Sequence, residues 1–222
     1  MATTRRRAAA AGLLASLVFS VTGCSSDSGN GGDNDKIEGA GGGGTSASAS
    51  PSASASGGKD APVFDLPSDI TVTSDLKPTG DAVKDAVLRD LSYAAQARVE
   101  AFGKGQGQTA NMSRYFAANA LVYWAKRAEE FKKDGLTVTG SYRYYGFEVT
   151  DTASGKAAAR YCEDQSKAFN KVIKTQKAQR TQPSDKDFVL YTVQTAKDSA
   201  GDWQVTQQSW KKGDATCVQG QG

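Results

Sequence analysis

The feature that most constrains this chain is a change of period at Gly135. Between Asp81 and Lys133 the apolar residues return every three or four positions, and from Leu136 onward they alternate. The first spacing lays a stripe along one face of a helix, and the second loads one face of a strand. Helices first and strands second predict an α+β domain, with N-terminal helices packed on a curved antiparallel sheet.

Within the helical part, Val83, Val87, Leu91, Ala95, Val99 and Phe102 mark one helix. Asp81 is placed to cap its start, and Gly103 and Gly105 end it. A second run from Asn111 carries Ala117, Leu121, Trp124, Ala128 and Phe131, and closes on Lys132 and Lys133, cations that suit a helix C-terminus. Strands are expected over 136–150, 157–166, 188–197 and 203–211. Asp151-Thr152-Ala153-Ser154-Gly155 separates the first two, Asp198-Ser199-Ala200-Gly201-Asp202 makes a hairpin loop between the last two, and Gly140 or Gly146 marks a bulge or bend. The proline-punctuated stretch 63–76 reads as extended.

Upstream of the domain, Arg5, Arg6 and Arg7 precede an apolar run over 8–21, shorter than the roughly 20 residues that a spanning helix needs. The run ends in Val21-Thr22-Gly23-Cys24, which is similar to a bacterial lipobox. That resemblance implies a lipoprotein signal peptide over 1–23 and a mature chain beginning at a lipidated Cys24, with fatty-acyl groups such as palmitate as the anchor. The expected location is the extracytoplasmic face of the cell membrane. Residues 24–60 are Gly, Ser and Ala for the most part and bury too little apolar area to order a chain. They read as a disordered tether with a reach of about 30 Å. One domain then occupies 61–222, a size suited to a single core.

The leader holds three of the 27 basic residues and none of the 24 acidic ones, so its removal leaves the charges balanced. Balance argues against a nucleic-acid binder, which needs a basic face to neutralise phosphates. The chain has no histidine, which excludes histidine bases and histidine metal sites, and no metal or cofactor is expected. Gly103-Lys104-Gly105-Gln106-Gly107 lacks the spacing of a phosphate loop and reads as an interhelical connection. With Cys24 lipidated, Cys162 and Cys217 remain as an even pair in an exported chain, and one disulfide is the expectation. Lys167, Lys171, Lys174, Lys177 and Arg180 read as a solvated strand extension and loop; the alternative is a face for an anionic wall polymer or acidic lipid.

Four pieces together, the lipobox with its tether, Tyr161-Cys162-Glu163-Asp164-Gln165-Ser166, Asp202-Trp203-Gln204-Val205 and the closing Cys217, give a broader resemblance. The chain resembles a secreted bacterial lipoprotein with a nuclear transport factor 2-like, or cystatin-like, domain over most of 80–217. The resemblance implies a conical cavity between the helices and the concave face of the sheet. Enzymes of that kind, ketosteroid isomerase and scytalone dehydratase, use carboxylates or histidines as bases and tyrosines to polarise a carbonyl. Candidate cavity residues here are Tyr142, Tyr144, Glu148, Asp164 and Trp210, with Glu163 as a further carboxylate. Neighbours on a strand face opposite ways, so if Cys162 turns toward the tail, Asp164 shares that face and Glu163 takes the other. The expected function is a non-catalytic binding or assembly module of the cell envelope, with an envelope protein as possible partner. A small-molecule-binding or isomerase-like enzyme using the cavity is the alternative.

Overall fold

In a computed structural model of the chain, residues 61–220 are described. The leader, Cys24 and the tether to residue 60 lie outside the described residues. The order of elements is β1 (Ile70–Ser74), α1 (Ala82–Lys104), α2 (Ala110–Tyr115), α3 (Ala118–Lys133), β2 (Leu136–Ala153), β3 (Lys156–Val172), β4 (Ala178–Gln179), β5 (Phe188–Lys197), β6 (Trp203–Lys212) and α4 (Ala215–Gln219). It is a mixed α+β fold with a six-stranded sheet in the order β1-β2-β3-β5-β6, β4 adding to β3. No helix among the described residues is long and apolar enough to cross a membrane.

The first helix begins and ends where its caps place it. The Asp81 carboxylate accepts from the amides of Val83 and Lys84, and Gly105 takes the left-handed conformation that closes the C-terminus. From Val87 to Ala101 residues on every side of α1 are buried, Asp90, Arg98 and Glu100 included. A helix so enclosed is the central post of the domain: α1 packs on β2 and β6, and α2 and α3 cover it.

The second helical run divides in two. A continuous helix through Ala117 was expected, but Phe116 and Ala117 are extended and Ala118 has φ +47°. The cause is tertiary: Phe116 forms a parallel bridge with Val205, and the Ala117 amide donates to the Val205 carbonyl at 2.9 Å. A hydrogen bond to the end of β6 replaces the helical one, at a place with no glycine or proline to announce it.

The sheet also departs from a pure antiparallel meander. The extended segment after Pro67 supplies β1, which pairs in parallel with β2 from Ile70 opposite Gly140 to Ser74 opposite Tyr144. A parallel pair needs a long crossover, and α1, α2 and α3 together provide it. The β2–β3 hairpin is longer than expected: the turn shrinks to Ser154 and Gly155, and β3 runs on to Val172 through the lysine-rich stretch. There Lys171 reaches Asp69 at 2.7 Å and Arg180 lies over the Phe169 ring. Bulges interrupt β2 at three points, between Ser141 and Arg143, Tyr145 and Glu148, and Val149 and Asp151, and each bends and twists the strand. Gly140 is required there, since its φ is +98° and a Cβ would stand 2.1 Å from the Lys167 carbonyl oxygen.

The inner face of the sheet carries the main core, including Tyr144, Tyr161, Tyr191, Val193 and Val205 against α1. The outer face carries a small second cluster of Tyr145, Cys162, Phe188 and Cys217. Cys162 and Cys217 form the disulfide, which pins α4 to that face, and the Tyr145 hydroxyl donates to the Cys217 carbonyl.

Candidate functional site

Between α1, α3 and the inner face of β2, β3, β5 and β6 lies a cavity of about 270 Å³. Arg98 and Glu163 meet at its floor. Arg98 sits on the buried stretch of α1, and Glu163 lies on β3 opposite Tyr144 of β2 and Val189 of β5. Their side chains are 5% and 4% exposed, and Arg98 Nη2 stands 3.2 Å from Glu163 Oε2. Tyr144 closes a triangle: its hydroxyl donates to Glu163 Oε1 at 2.9 Å and accepts from Arg98 Nη2 at 3.3 Å. The guanidinium is also sandwiched, 4.9 Å from the Trp124 ring centre and 4.3 Å from that of Tyr191. Arg98 Nη1 is buried and has no hydrogen-bond partner among the described residues.

These groups fix one another's charge. Burial works against the Arg98 charge, but the oxygens of Tyr191 and Glu163 beside it outweigh the penalty and raise its pKa. Burial pushes the hydroxyls of Tyr142, Tyr144 and Tyr191 well up and that of Tyr161 to about 12, so all four are neutral at physiological pH. With the tyrosines neutral, Glu163 is the balancing anion. The floor is therefore an ion pair without net charge, walled by aromatic rings.

Of the sequence-predicted cavity residues, Tyr142 and Trp210 line the void, and Tyr144 stands fully buried behind Glu163. Glu148 and Asp164 do not reach it. Glu148 lines a hollow on the outer face with Cys162, where its Oε2 accepts from Arg160 Nε at 2.7 Å and Nη2 at 2.6 Å. The Asp164 carboxylate turns back to accept from the Ser166 amide at 2.8 Å. Along β3, Cys162 and Asp164 face outward, and Glu163 is the carboxylate that faces in. Arg98 lies off the helical stripe of Val87, Leu91, Ala95 and Val99, so apolar periodicity alone does not point to it. The signal that finds it is Ala94, Ala95, Ala97 and Ala101 around it, small residues on several sides of α1 that let neighbours close in.

The glycine-rich connection holds no phosphate-loop geometry. Gly105 is the cap of α1, and a Cβ on Gly107 would stand 2.3 Å from the Ala125 carbonyl oxygen, so the loop is packed tightly on α3. Among the described residues no group of three or more acidic or cysteine side chains is placed to hold a metal ion.

No protein-family model matches the chain, and no curated protein matches it. Solved structures do. The intermembrane space region of the chloroplast protein ARC6 is similar at a TM-score of 0.39 and 16% identity, over 61% of this chain and 99% of that one. A ketosteroid isomerase-like protein from Shewanella frigidimarina is similar at a TM-score of 0.34 and 15% identity, over 59% of this chain and 98% of that one.

Proposed function

We propose that this chain is a lipid-anchored envelope protein whose domain, of the nuclear transport factor 2-like kind, binds a ligand or partner without transforming it. The observation that carries the reading is the state of Glu163. Among the described residues lining the cavity it is the one carboxylate, and both its oxygens are engaged, by Arg98 and by the Tyr144 hydroxyl. A general base must have a lone pair aimed at the substrate proton, and here each Glu163 oxygen already answers a protein group. What the void offers instead is aromatic wall, an unpaired Arg98 nitrogen and the polar side chains of Arg127, Gln165, Asn170 and Lys212, features of a pocket that holds a molecule with both apolar and polar parts.

The anchor rests on the sequence: a basic start, a short apolar run and Val21-Thr22-Gly23-Cys24, followed by a Gly/Ser/Ala tether. The membrane is then the first partner, and an envelope protein or an anionic wall or lipid surface reached by the domain is the second.

The test has two arms in the organism that makes the protein. A fatty-acid analogue fed to cells labels the wild type and leaves Cys24→Ala unlabelled and shed to the medium; equal labelling of both refutes the anchor. The purified chain, offered a β,γ-unsaturated cyclic ketone, gives no conjugated product above buffer. Turnover that Glu163→Gln abolishes would overturn the non-catalytic reading.

A further inference from the structure

A second hollow, of about 480 Å³, opens between α3 and β6. It shares Tyr123, Trp124 and Trp210 with the Arg98–Glu163 cavity and adds Asn119, Gln207 and Gln208. We propose that this hollow binds a pyranose ring of a neutral saccharide, such as a stretch of wall glycan.

Three properties converge on that chemistry. The first is a rigid aromatic platform. Tyr123 and Trp210 are 40% and 41% exposed, with ring centres 5.3 Å apart, and both lean on the buried Trp124 at 5.0 and 5.4 Å. The negative faces of such rings attract the polarised C–H groups on the apolar face of a sugar ring. The second is a set of unpaired amide groups. Gln208 Nε2 and Oε1 are both buried without a partner among the described residues, as is the Trp124 indole nitrogen. Leaving a buried donor or acceptor unmade costs about 1–3 kcal/mol. A saccharide answers donor and acceptor together, because adjacent hydroxyls each donate and accept.

The third property is neutrality. No acidic or basic side chain lines the hollow, so nothing in it selects a phosphate or carboxylate, and an alkyl chain would leave the Gln208 amide unpaired. The volume lies in the range of about 300–1,000 Å³ usual for small-molecule sites. The fold builds the site on purpose-made geometry: the register slips at Thr206, between Val205 opposite Thr195 and Gln207 opposite Gln194. That bulge turns Gln208 and Trp210 to the face that Trp203 and Val205 occupy below it.

The experiment uses the full chain in a detergent without a sugar headgroup, titrated with chitotriose and with maltotriose while tryptophan fluorescence is followed. At least one trisaccharide gives a saturable change. Trp210→Ala and Gln208→Leu each weaken it about tenfold or more. Gln208→Leu also keeps or raises the melting temperature, because it removes an unpaired amide; a merely structural glutamine would lower it. The proposal falls if neither sugar saturates by about 10 mM, a binding weaker than about 3 kcal/mol. It falls equally if Gln208→Leu binds as the wild type does or melts lower. Should Trp210→Ala fail to fold, Gln208→Leu alone decides. None of these results bears on Glu163, so the saccharide site can fail while the non-catalytic cavity stands, and the reverse.

Discussion

Neutralising Glu163 tests whether the cavity floor is a single electrostatic unit. In Glu163→Gln the Arg98 guanidinium, 4% exposed as a residue, loses its counter-charge and keeps the Trp124 and Tyr191 faces and the Tyr144 hydroxyl. Removing one partner of a buried pair costs about 3–5 kcal/mol, since the other charge stays behind in a low dielectric. The two ring contacts persist and are worth about 2 kcal/mol when desolvated, so the lower end is expected, about 3 kcal/mol. For a domain of this size that lowers the melting temperature by roughly 6–12 °C. Adding Arg98→Met removes the stranded charge, while the amide oxygen of the new side chain still accepts from the Tyr144 hydroxyl. The double variant should return to within about 1 kcal/mol of the wild type, a recovery of about 2 kcal/mol over Glu163→Gln alone. Urea unfolding followed by tryptophan fluorescence measures it, with an unchanged slope showing that the same surface unfolds. If Glu163→Gln costs less than about 1 kcal/mol, or if the double variant is no better than the single, the floor is not held by this pair.

Two further outcomes follow from the edges of the sheet. Cys217→Ser opens a loop of 55 positions and releases α4 from the outer face, costing about 4 kcal/mol by loop entropy; calorimetry of the oxidised protein measures the drop, and thiol labelling of the native wild type finds neither Cys162 nor Cys217 free. Lys171 and Thr139 beside Asp69 hold its carboxyl below the ordinary range, with partial burial opposing them. The unfolded chain therefore takes up this proton first. The contribution of Asp69 is intact above about pH 4 and is lost as the pH falls through the lower folded value. Asp69→Asn should lower the melting temperature at pH 5 and converge on the wild type as the pH falls to 2, which flattens the acid limb of the profile; a difference that stays constant from pH 5 to 2 refutes the assignment.

Local chemistry written in the sequence came through into the fold. Asp81 and Gly105 bound α1, and the Asp198 carboxylate organises the β5–β6 loop by accepting from the amides of Ala200, Gly201 and Asp202. Features made by distant partners were not legible. The break at Phe116 and Ala117 depends on a bond to Val205, 88 residues on from Ala117, and nothing in the local sequence forbids the helix from continuing. The parallel β1 depends on three helices returning the chain to the same edge. Arg98 reads as a surface cation until the helix is known to be enclosed on all sides.

The candidate site separates these two kinds of information within single strands. From Lys156 to Asp164, β3 pairs with β5 without a slip in register. Facing can therefore be carried one step from Cys162 to Glu163. On β2 the same reasoning fails, because the register shifts between Tyr145 and Glu148. Tyr144 and Glu148 share a parity, yet the bulge at Gly146, with its φ of +62°, sends Tyr144 to the core and Glu148 to the outer face. On β6 a bulge acts in the other direction: parity from Val205 would put Trp210 outside, and the extra residue at Thr206 brings it to the cavity wall. Alternation specifies a face only between bulges. Bulges also give these strands the bend that lets one sheet enclose a void, so the sites where sequence parity breaks are those where the cavity is made.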